Sequence, residues 1–89
     1  MTKIELYRRD FCGFCSAASQ LLNSKKNITI KTYDIWKQPN LKAEMISRSK
    51  GRSTVPQIFI NDQHIGGYDD LLALERAGKL DRLLEAKQK

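Results

Sequence analysis

The stretch "DFCGFCSAASQLL", residues Asp10–Leu22, places two cysteines three positions apart at the start of a predicted helix. Its apolar residues recur at spacings of three and four, which is typical of a helix that packs one face against a core. Cys12 precedes this helix and Cys15 lies in its first turn. Such a pair can form a structural disulfide, bind a metal ion or take part in thiol redox chemistry, and the rest of the sequence helps to distinguish these alternatives.

Length and composition indicate one globular domain, residues 1–89, since 40% of the 89 residues are apolar and 29% are charged. No apolar run reaches membrane-spanning length, so no membrane partner is expected. Residues 1–4 lead directly into a predicted strand without the apolar core of a signal peptide, so a cytoplasmic location is expected. Residues from about 86 to 89 are predicted to form a polar tail that frays.

The net charge of +6 is unevenly distributed along the chain. Residues 1–52 carry 11 Lys and Arg against 4 Asp and Glu, whereas residues 53–89 carry 5 against 6. A basic excess of this kind indicates an anionic ligand or an acidic protein surface as partner. The lysines are scattered and no nucleic-acid-binding motif is present, so a solvated basic face is expected rather than a nucleic-acid site.

Chemistry of the cysteine pair favours a redox role. Structural disulfides are uncommon in reducing compartments, and a loop as short as Cys-x-x-Cys removes little entropy from the unfolded chain when it closes. A structural zinc site normally takes four ligands, and beyond Cys12 and Cys15 the chain offers only the distant His64. Thiol redox chemistry is therefore the leading interpretation, and no metal site is expected under it.

Hydrophobic patterns predict the element order β-α-β-α-β-β-α-α. Strands are predicted at Lys3–Tyr7 and Asn27–Ile35 on either side of a helix from Phe14 to Ser24, which implies a parallel strand pair with a right-handed crossover. The other predicted elements are a helix from Pro39 to Gly51, a strand Pro56–Ile60, a short strand at His64 and Ile65, a helix from Asp69 to Gly78 with Leu71, Leu72 and Leu74 inward, and a last helix with Leu80, Leu83 and Leu84.

A second motif, "STVPQIFINDQHIGGYDDL" at Ser53–Leu71, combines with the Cys-x-x-Cys of a βαβ unit. Together they resemble the glutaredoxin family, in which Thr-Val-Pro before a hairpin and Gly-Gly-x-Asp after it form the glutathione site. The resemblance covers essentially the whole chain. It implies an α/β, thioredoxin-like fold with a four-stranded mixed sheet and flanking helices.

Thiol-disulfide exchange assigns different roles to the two cysteines. The thiolate is the attacking species, and a helix N-terminus stabilises negative charge through its unpaired N–H groups and the macrodipole. Cys12 occupies that position, with Arg8 and Arg9 close in sequence, whereas Cys15 lies within the helix and is expected to be more buried. We therefore predict that Cys12 attacks and that Cys15 resolves.

A glutathione site is implied by the resemblance. Val55-Pro56 resembles the cis-proline of the family, which leaves the backbone of Val55 free to pair with a bound peptide. The helix N-terminus after Gly67 is suited to the γ-glutamyl end, although Asp69 or Asp70 is equally suited to cap that helix. Phe14 is predicted either as an apolar wall of the site or as a core residue, and Arg9 and Arg52 are predicted to meet the glycine carboxylate. The complete predicted set is Arg9, Phe14, Arg52, Thr54, Val55, Pro56, Gly67, Tyr68, Asp69 and Asp70.

Three further residues receive structural interpretations. Tyr33 and Trp36 are predicted to pack against the protein rather than to serve as ligand platforms, because large aromatic side chains are usually mostly buried. His64, between the hairpin turn and Gly66, is predicted to be an ordinary histidine of an edge strand.

The predicted function is a glutathione-dependent thiol-disulfide oxidoreductase, with glutathione as reductant and protein disulfides or glutathionylated proteins as substrates. A monomer is expected. Two alternatives remain open. One is an iron–sulfur carrier resembling holo-glutaredoxins, in which Cys12 from each of two chains and two glutathiones hold a [2Fe–2S] cluster in a bridged homodimer. The other is a thioredoxin-like donor that a reductase recycles.

Overall fold

The computed structural model describes residues 2–85 and has the predicted order of elements. The predicted tail at residues 86–89 lies outside the described residues. Most boundaries fall close to the predicted ones, the largest shift being a second helix that ends before Gly51. The elements are β1 (Thr2–Arg8), α1 (Gly13–Asn23), β2 (Ile28–Asp34), α2 (Pro39–Arg48), β3 (Gln57–Ile60), β4 (Gln63–Gly66), α3 (Tyr68–Arg76) and α4 (Leu80–Glu85).

The four strands form one mixed sheet, as predicted, and their order in it is β2-β1-β3-β4. β1 and β2 are parallel, with Thr2 opposite Ile28 and Arg8 opposite Asp34, because α1 carries the chain back across the sheet between them. β1 pairs with β3 and β3 pairs with β4 in antiparallel fashion. The carboxyl end of the central strand β1 therefore leads directly into the loop that carries Cys12.

Both faces of the sheet are covered, because side chains alternate between them along each strand. Ile4 and Leu6 of β1 point to a cluster that includes the buried apolar residues of α1, α3 and α4. Tyr7 points to the opposite cluster, where Met45 of α2 and Phe59 of β3 are buried. The sheet is thus a middle layer with three helices on one face and α2 on the other.

A two-residue turn closes the hairpin of β3 and β4. Asn61 and Asp62 have φ values of 50° and 68°, the left-handed pair that a type I′ turn requires. β3 begins at Gln57 rather than at the predicted Pro56, and the Val55-Pro56 peptide bond is cis. The hairpin brings Gly66 and Gly67 back beside this proline, with the carbonyl of Pro56 3.4 Å from the position of a Cβ on Gly67.

Some predicted burial is wrong. Leu72, predicted to face inward, is only partly buried and belongs to neither core cluster. Trp36, predicted to pack against the protein, is 57% exposed. The carboxylate of Asp34 accepts hydrogen bonds from the backbone N–H groups of Trp36 and Lys37, which turns the chain at the end of an edge strand and leaves the indole outside both core clusters. Among residues 2–85 no helix has the length and apolarity that crossing a membrane requires.

Candidate active site

The two cysteines lie at the N-terminus of α1 and form a disulfide, with their Cα atoms 5.2 Å apart. Cys12 is the N-cap, and its Sγ accepts a hydrogen bond of 3.2 Å from the backbone N–H of Cys15. Cys15 is 2% exposed, whereas Cys12 is only partly buried. The sulfur that a substrate reaches is therefore that of Cys12, which agrees with its predicted role.

Backbone geometry just before Cys12 is unusual. Phe11 has a φ of 56°, in the left-handed region that bulky side chains rarely adopt, and its ring is 91% exposed. The guanidinium of Arg9 fixes this conformation, since Nη1 donates to the carbonyl oxygens of Asp10 at 2.9 Å and Phe11 at 3.1 Å. Residues in such conformations cluster at functional sites, where the surrounding structure holds them in place.

An open cavity of about 310 Å³ lies beside the cysteine loop. Its lining consists of Phe14, Arg52, Thr54, Val55, Pro56, Gly67, Tyr68, Asp69 and Asp70. The Sγ of Cys12 lies 4.0 Å from the carbonyl oxygen of Val55, so the reactive sulfur borders this lining. The structure thus brings together nine of the ten residues predicted for glutathione, and their binding of glutathione stays a prediction.

Two aromatic rings form one wall of the cavity. Phe14 is 64% exposed, and its ring stacks on that of Tyr68 with centroids 6.1 Å apart and an interplanar angle of 23°. Phe14 therefore lines the cavity and belongs to neither core cluster, and its contact with glutathione stays a prediction.

The N-terminus of α3 forms the polar side of the cavity. Gly67 is the N-cap, and the carboxylate of Asp70 accepts from its N–H at 3.0 Å and from Nη1 of Arg52 at 3.3 Å. Asp70 therefore contributes to capping, whereas Asp69 is exposed and makes no side-chain hydrogen bond or ion pair within residues 2–85. Below this pair lies Gly66, where a Cβ would come within 2.2 Å of the Asp70 carboxylate.

Gln57 is a site residue that sequence reasoning missed. Its side chain is fully buried, and Nε2 donates to the carbonyl oxygen of Thr54 at 3.0 Å and to Oγ1 of Thr54 at 3.2 Å. The amide oxygen is thereby turned to His64, which lies in the edge strand as predicted and whose Nε2 is 2.7 Å away. Gln57 could have been identified from the sequence, because it is the polar residue within the otherwise apolar run "PQIFI".

The tautomer of His64 follows from this chain of contacts. The carbonyl of Thr54 can only accept, so the amide oxygen of Gln57 faces the ring and Nε2 of His64 must carry the hydrogen. Burial, assisted by the charge of Arg52, lowers the pKa of His64 below its ordinary value, so the ring is neutral at neutral pH. The chain of hydrogen bonds therefore supports the loop that ends at the cis-proline.

The two arginines near Cys12 in sequence have other partners. Arg8 forms ion pairs of 3.3 Å with Asp10 and with Asp34. The guanidinium of Arg9 lies 5.1 Å from the ring centroid of Trp36, and Arg9 is absent from the cavity lining. Helix position and the N–H of Cys15, rather than a directly bonded arginine, are what the structure supplies to the Cys12 sulfur.

Metal-ligating residues are sparse in the described part of the chain. Residues 2–85 contain no group of three or more His, Cys, Asp or Glu side chains arranged to hold a metal ion. The predicted alternative of a bridged [2Fe–2S] cluster takes one protein thiolate per chain, so it stays a prediction that this observation does not test.

Comparison with known families matches the glutaredoxin model to residues 4–65. The chain is a member of the glutaredoxin family. It is 47% identical to glutaredoxin 3 of Escherichia coli (strain K12) over 85 residues, which cover 96% of this chain and all of that protein. With family membership and both cysteines present, the protein is a thiol-disulfide oxidoreductase.

Solved glutaredoxin structures share the fold. The solution structure of glutaredoxin from Brucella melitensis is 44% identical and superposes with a TM-score of 0.81, over 100% of this chain and 95% of that one. The crystal structure of a buckwheat glutaredoxin–glutathione complex is 27% identical with a TM-score of 0.82, over 93% of this chain and 76% of that one. The thioredoxin-like fold expected from the sequence is thereby confirmed.

Proposed function

We propose that this glutaredoxin uses glutathione to reduce protein disulfides and protein–glutathione mixed disulfides. The observation that carries the proposal is the position of the Cys12 sulfur at the N-terminus of α1, 4.0 Å from the Val55 carbonyl that borders the cavity. A glutathionyl group in that cavity has its sulfur within reach of Cys12. The buckwheat relative, described as a glutathione complex, supports the same ligand.

The first step is nucleophilic attack by the Cys12 thiolate. On a protein–glutathione mixed disulfide it attacks the glutathione sulfur, so the new bond joins Cys12 to glutathione and the protein leaves as a thiolate that takes up a proton. The positive end of α1 and the N–H of Cys15 favour the thiolate before attack. In the disulfide form this N–H already points to the Cys12 sulfur.

Resolution follows one of two routes. A second glutathione thiolate can attack the glutathione sulfur on Cys12, which yields oxidised glutathione and restores the Cys12 thiolate. With a protein disulfide as substrate, the Cys15 thiolate attacks the Cys12 sulfur, releases the reduced protein and leaves the Cys12–Cys15 disulfide. Two glutathiones then reduce that disulfide. The closeness of the two cysteines across one helical turn supports the second route.

Glutathione is proposed to lie along the nine lining residues. Its backbone pairs with that of Val55 in strand-like fashion, and its γ-glutamyl carboxylate meets the first N–H groups of α3. Asp69, which is exposed and unpaired within residues 2–85, receives the ammonium group. Arg52, which belongs to the lining, is proposed for the glycine carboxylate. The guanidinium of Arg9 lies outside the lining, where Asp10, Phe11 and Trp36 hold it, so its predicted contact with glutathione is not part of the proposal.

The test is a glutathione-coupled assay on a mixed disulfide of glutathione and cysteine, and in parallel on a protein disulfide. Cys12→Ser is expected to abolish both activities. Cys15→Ser is expected to retain the first and to lose most of the second, because the monothiol route needs only one protein sulfur. Equal losses in the two variants on the mixed disulfide would contradict the proposed roles, and reduction supported by a thioredoxin reductase but not by glutathione would favour the thioredoxin-like alternative.

A cytoplasmic location and a monomeric state complete the proposal. Both stay predictions. Sedimentation of the reduced protein, with and without glutathione, measures the second of them directly.

A further inference from the structure

Three large apolar side chains are exposed among the described residues, and all three lie around the cysteine loop. Phe14 lines the cavity and is accounted for by the proposed glutathione site. Phe11, at 91% exposure, and Trp36, at 57%, lie outside the lining. A tripeptide held along the lining therefore leaves these two rings uncovered, one on the residue that precedes Cys12 and the other against Arg9 of the same loop.

Arg9 makes Phe11 and Trp36 parts of one surface. One face of its guanidinium lies over the indole at 5.1 Å, and its Nη1 donates to the carbonyl oxygen of Phe11 at 3.1 Å. A cation held over an aromatic face in this way is attracted to the ring and orders both groups. The backbone of Phe11 and the indole of Trp36 thus both contact the guanidinium of Arg9.

Charge at this surface is positive on balance. The carboxylates of Asp10 and Asp34 pair with Arg8, and the cations Arg9 and Lys37 lie beside them, so cations outnumber carboxylates in this group. Lys37, which directly follows Trp36, is exposed, and its ammonium makes no ion pair within residues 2–85. A partner with a carboxylate near its reactive cysteine would be complementary to this lysine.

We propose that Phe11, Trp36 and Lys37, joined through Arg9, form a docking surface for the polypeptide part of a disulfide substrate. The occupant is a protein segment that carries an apolar side chain and an acidic residue next to its reactive cysteine. This inference rests on the proposed function and names the substrate class that the same sulfur acts upon. The surface adds no chemical step, since it binds the leaving polypeptide while Cys12 attacks the sulfur.

Exposed apolar area next to a reactive centre supports a binding role. Clustered aromatic rings in water are costly and generally mark contact sites, and aromatic residues contribute strongly to protein interfaces. The left-handed backbone of Phe11 adds to this, because it points a large ring to solvent at a position where a smaller residue would relieve the conformation. Glutathione alone requires neither ring.

The experiment compares three substrates under the glutathione-coupled assay. Two are glutathionylated peptides, one with Asp before and Phe after the cysteine and the other with Lys before and Ser after it. The third is the mixed disulfide of glutathione and cysteine. The proteins are wild type, Phe11→Ser, Trp36→Ser, Lys37→Glu and the matched control Lys79→Ser, which alters an exposed lysine beyond the far end of α3. Thermal unfolding of each variant verifies that it is folded.

Wild type is expected to have a kcat/KM about tenfold higher for the Asp-Cys-Phe peptide than for the Lys-Cys-Ser peptide. Phe11→Ser and Trp36→Ser should each remove most of this preference while leaving the small mixed disulfide unaffected. Lys37→Glu should favour the Lys-containing peptide, and Lys79→Ser should behave as wild type.

Two outcomes would overturn the docking surface: equal rates on the two peptides in wild type, or loss in the variants that is the same for the small disulfide as for the peptides. Either leaves the proposed function intact as long as wild type reduces the small disulfide with glutathione. Failure of wild type on the small disulfide would instead overturn the proposed function.

Discussion

At the scale of single residues, the backbone of Gly66 closely approaches the side chain of Asp70 at the N-terminus of α3. Its φ of 122° lies in the region that favours glycine, and a Cβ there would lie 2.2 Å from Oδ2 and 2.7 Å from Cγ of Asp70. The same carboxylate caps α3 and pairs with Arg52. Conformation and close approach therefore both require glycine at this position.

Gly66→Ala is accordingly expected to lower the free energy of unfolding by about 2 kcal/mol and to raise the KM for glutathione severalfold, because the displaced Asp70 can no longer hold the N-terminus of α3. Denaturant unfolding and glutathione kinetics measure the two effects. Gly51→Ala is the matched control, since Gly51 has a φ of 103° but nothing within 4 Å of a Cβ.

The control should share the backbone cost and leave the KM unchanged. An equal rise of KM in both variants would mean that backbone conformation alone, without the close approach to Asp70, accounts for the effect.

At the scale of elements, β1 and α2 are joined by a polar cluster within the layer that otherwise contains Tyr7, Met45 and Phe59. Arg48 donates from Nη2 to Oε1 of Glu5 at 2.9 Å and from Nη1 to Oε2 at 3.1 Å. The guanidinium also lies 4.0 Å from the ring centroid of Phe59. This packing makes Glu5, a polar residue in the predicted strand pattern, a buried part of the sheet.

The pH dependence of stability follows from Glu5. Hydrogen bonds from Arg48, which have the largest effect, and a hydrogen bond from Tyr33 hold the pKa of the Glu5 carboxyl below its ordinary value. Burial acts in the opposite direction. Because the pKa of Glu5 is lower in the folded state than in the unfolded state, the carboxylate contributes to the free energy of unfolding above about pH 4.3. This contribution is lost as the pH falls through the folded pKa. Lys3, 4.0 Å from the same carboxylate, acts in the same direction.

Glu5→Gln is expected to destabilise the protein by about 2 kcal/mol at neutral pH and by less at pH 3, which lies below the ordinary pKa of about 4.3 that the unfolded state retains, so that part of the contribution of the carboxylate is lost there. Urea unfolding at the two pH values measures the difference. A loss of equal size at both would show that packing, rather than the charge of Glu5, is what the substitution removes.

The β3–β4 hairpin acts on the site through Gln57. Gln57→Glu replaces the amide donor, and an ionised carboxylate cannot donate to the carbonyl of Thr54. Near neutral pH we expect kcat/KM with glutathione to fall about tenfold, mainly through KM, because the loop that ends at the cis-proline loses its support. As the pH falls the introduced carboxyl protonates and regains a donor, so the ratio of variant to wild-type activity should rise.

Gln57→Met is the comparison for that profile. It lacks a donor at every pH, so its ratio to wild type should stay flat, and alkylation of Cys12 should proceed at the wild-type rate in both variants. If the ratio of Gln57→Glu activity to wild-type activity does not change with pH, the hydrogen bond from Gln57 to Thr54 does not support glutathione binding.

The order of elements could be predicted because each helix and strand has its own periodicity, as in Lys3–Tyr7 and in the helix after Cys12. Side-chain exposure was harder to predict where it depends on tertiary contacts. Trp36 is predicted to pack, but the carboxylate of Asp34 turns the backbone there through hydrogen bonds to the next residues, and the sequence does not show that the indole then meets neither core cluster. Phe14 follows the helical spacing of the core residues yet lies at the exposed first turn.

At the scale of the whole molecule, the cavity joins segments that are far apart in sequence. Thr54 to Pro56 and Gly67 to Asp70 meet the cysteine loop because β3 pairs with β1, whose end carries Cys12. Each motif can be recognised in the sequence alone. That the two motifs lie side by side in the folded protein was predicted only from the resemblance to glutaredoxins. The Gln57–His64 contact and the Arg9–Trp36 stack depend on side-chain positions that neither motif nor resemblance specifies.

The left-handed backbone at Phe11 implies a conflict between selection for stability and selection for substrate choice. Asn tolerates this region better, and the ring of Phe11 is too exposed to lose much packing. Phe11→Asn should therefore raise the free energy of unfolding by about 1 kcal/mol while removing the peptide preference, as measured by denaturant unfolding and the peptide assay. If selection had acted on stability alone, position 11 would be expected to hold a residue that tolerates the left-handed backbone conformation better than phenylalanine does. A directed-evolution experiment that selects only for heat resistance should lose this phenylalanine early, and one that selects for turnover of the preferred protein substrate should retain it.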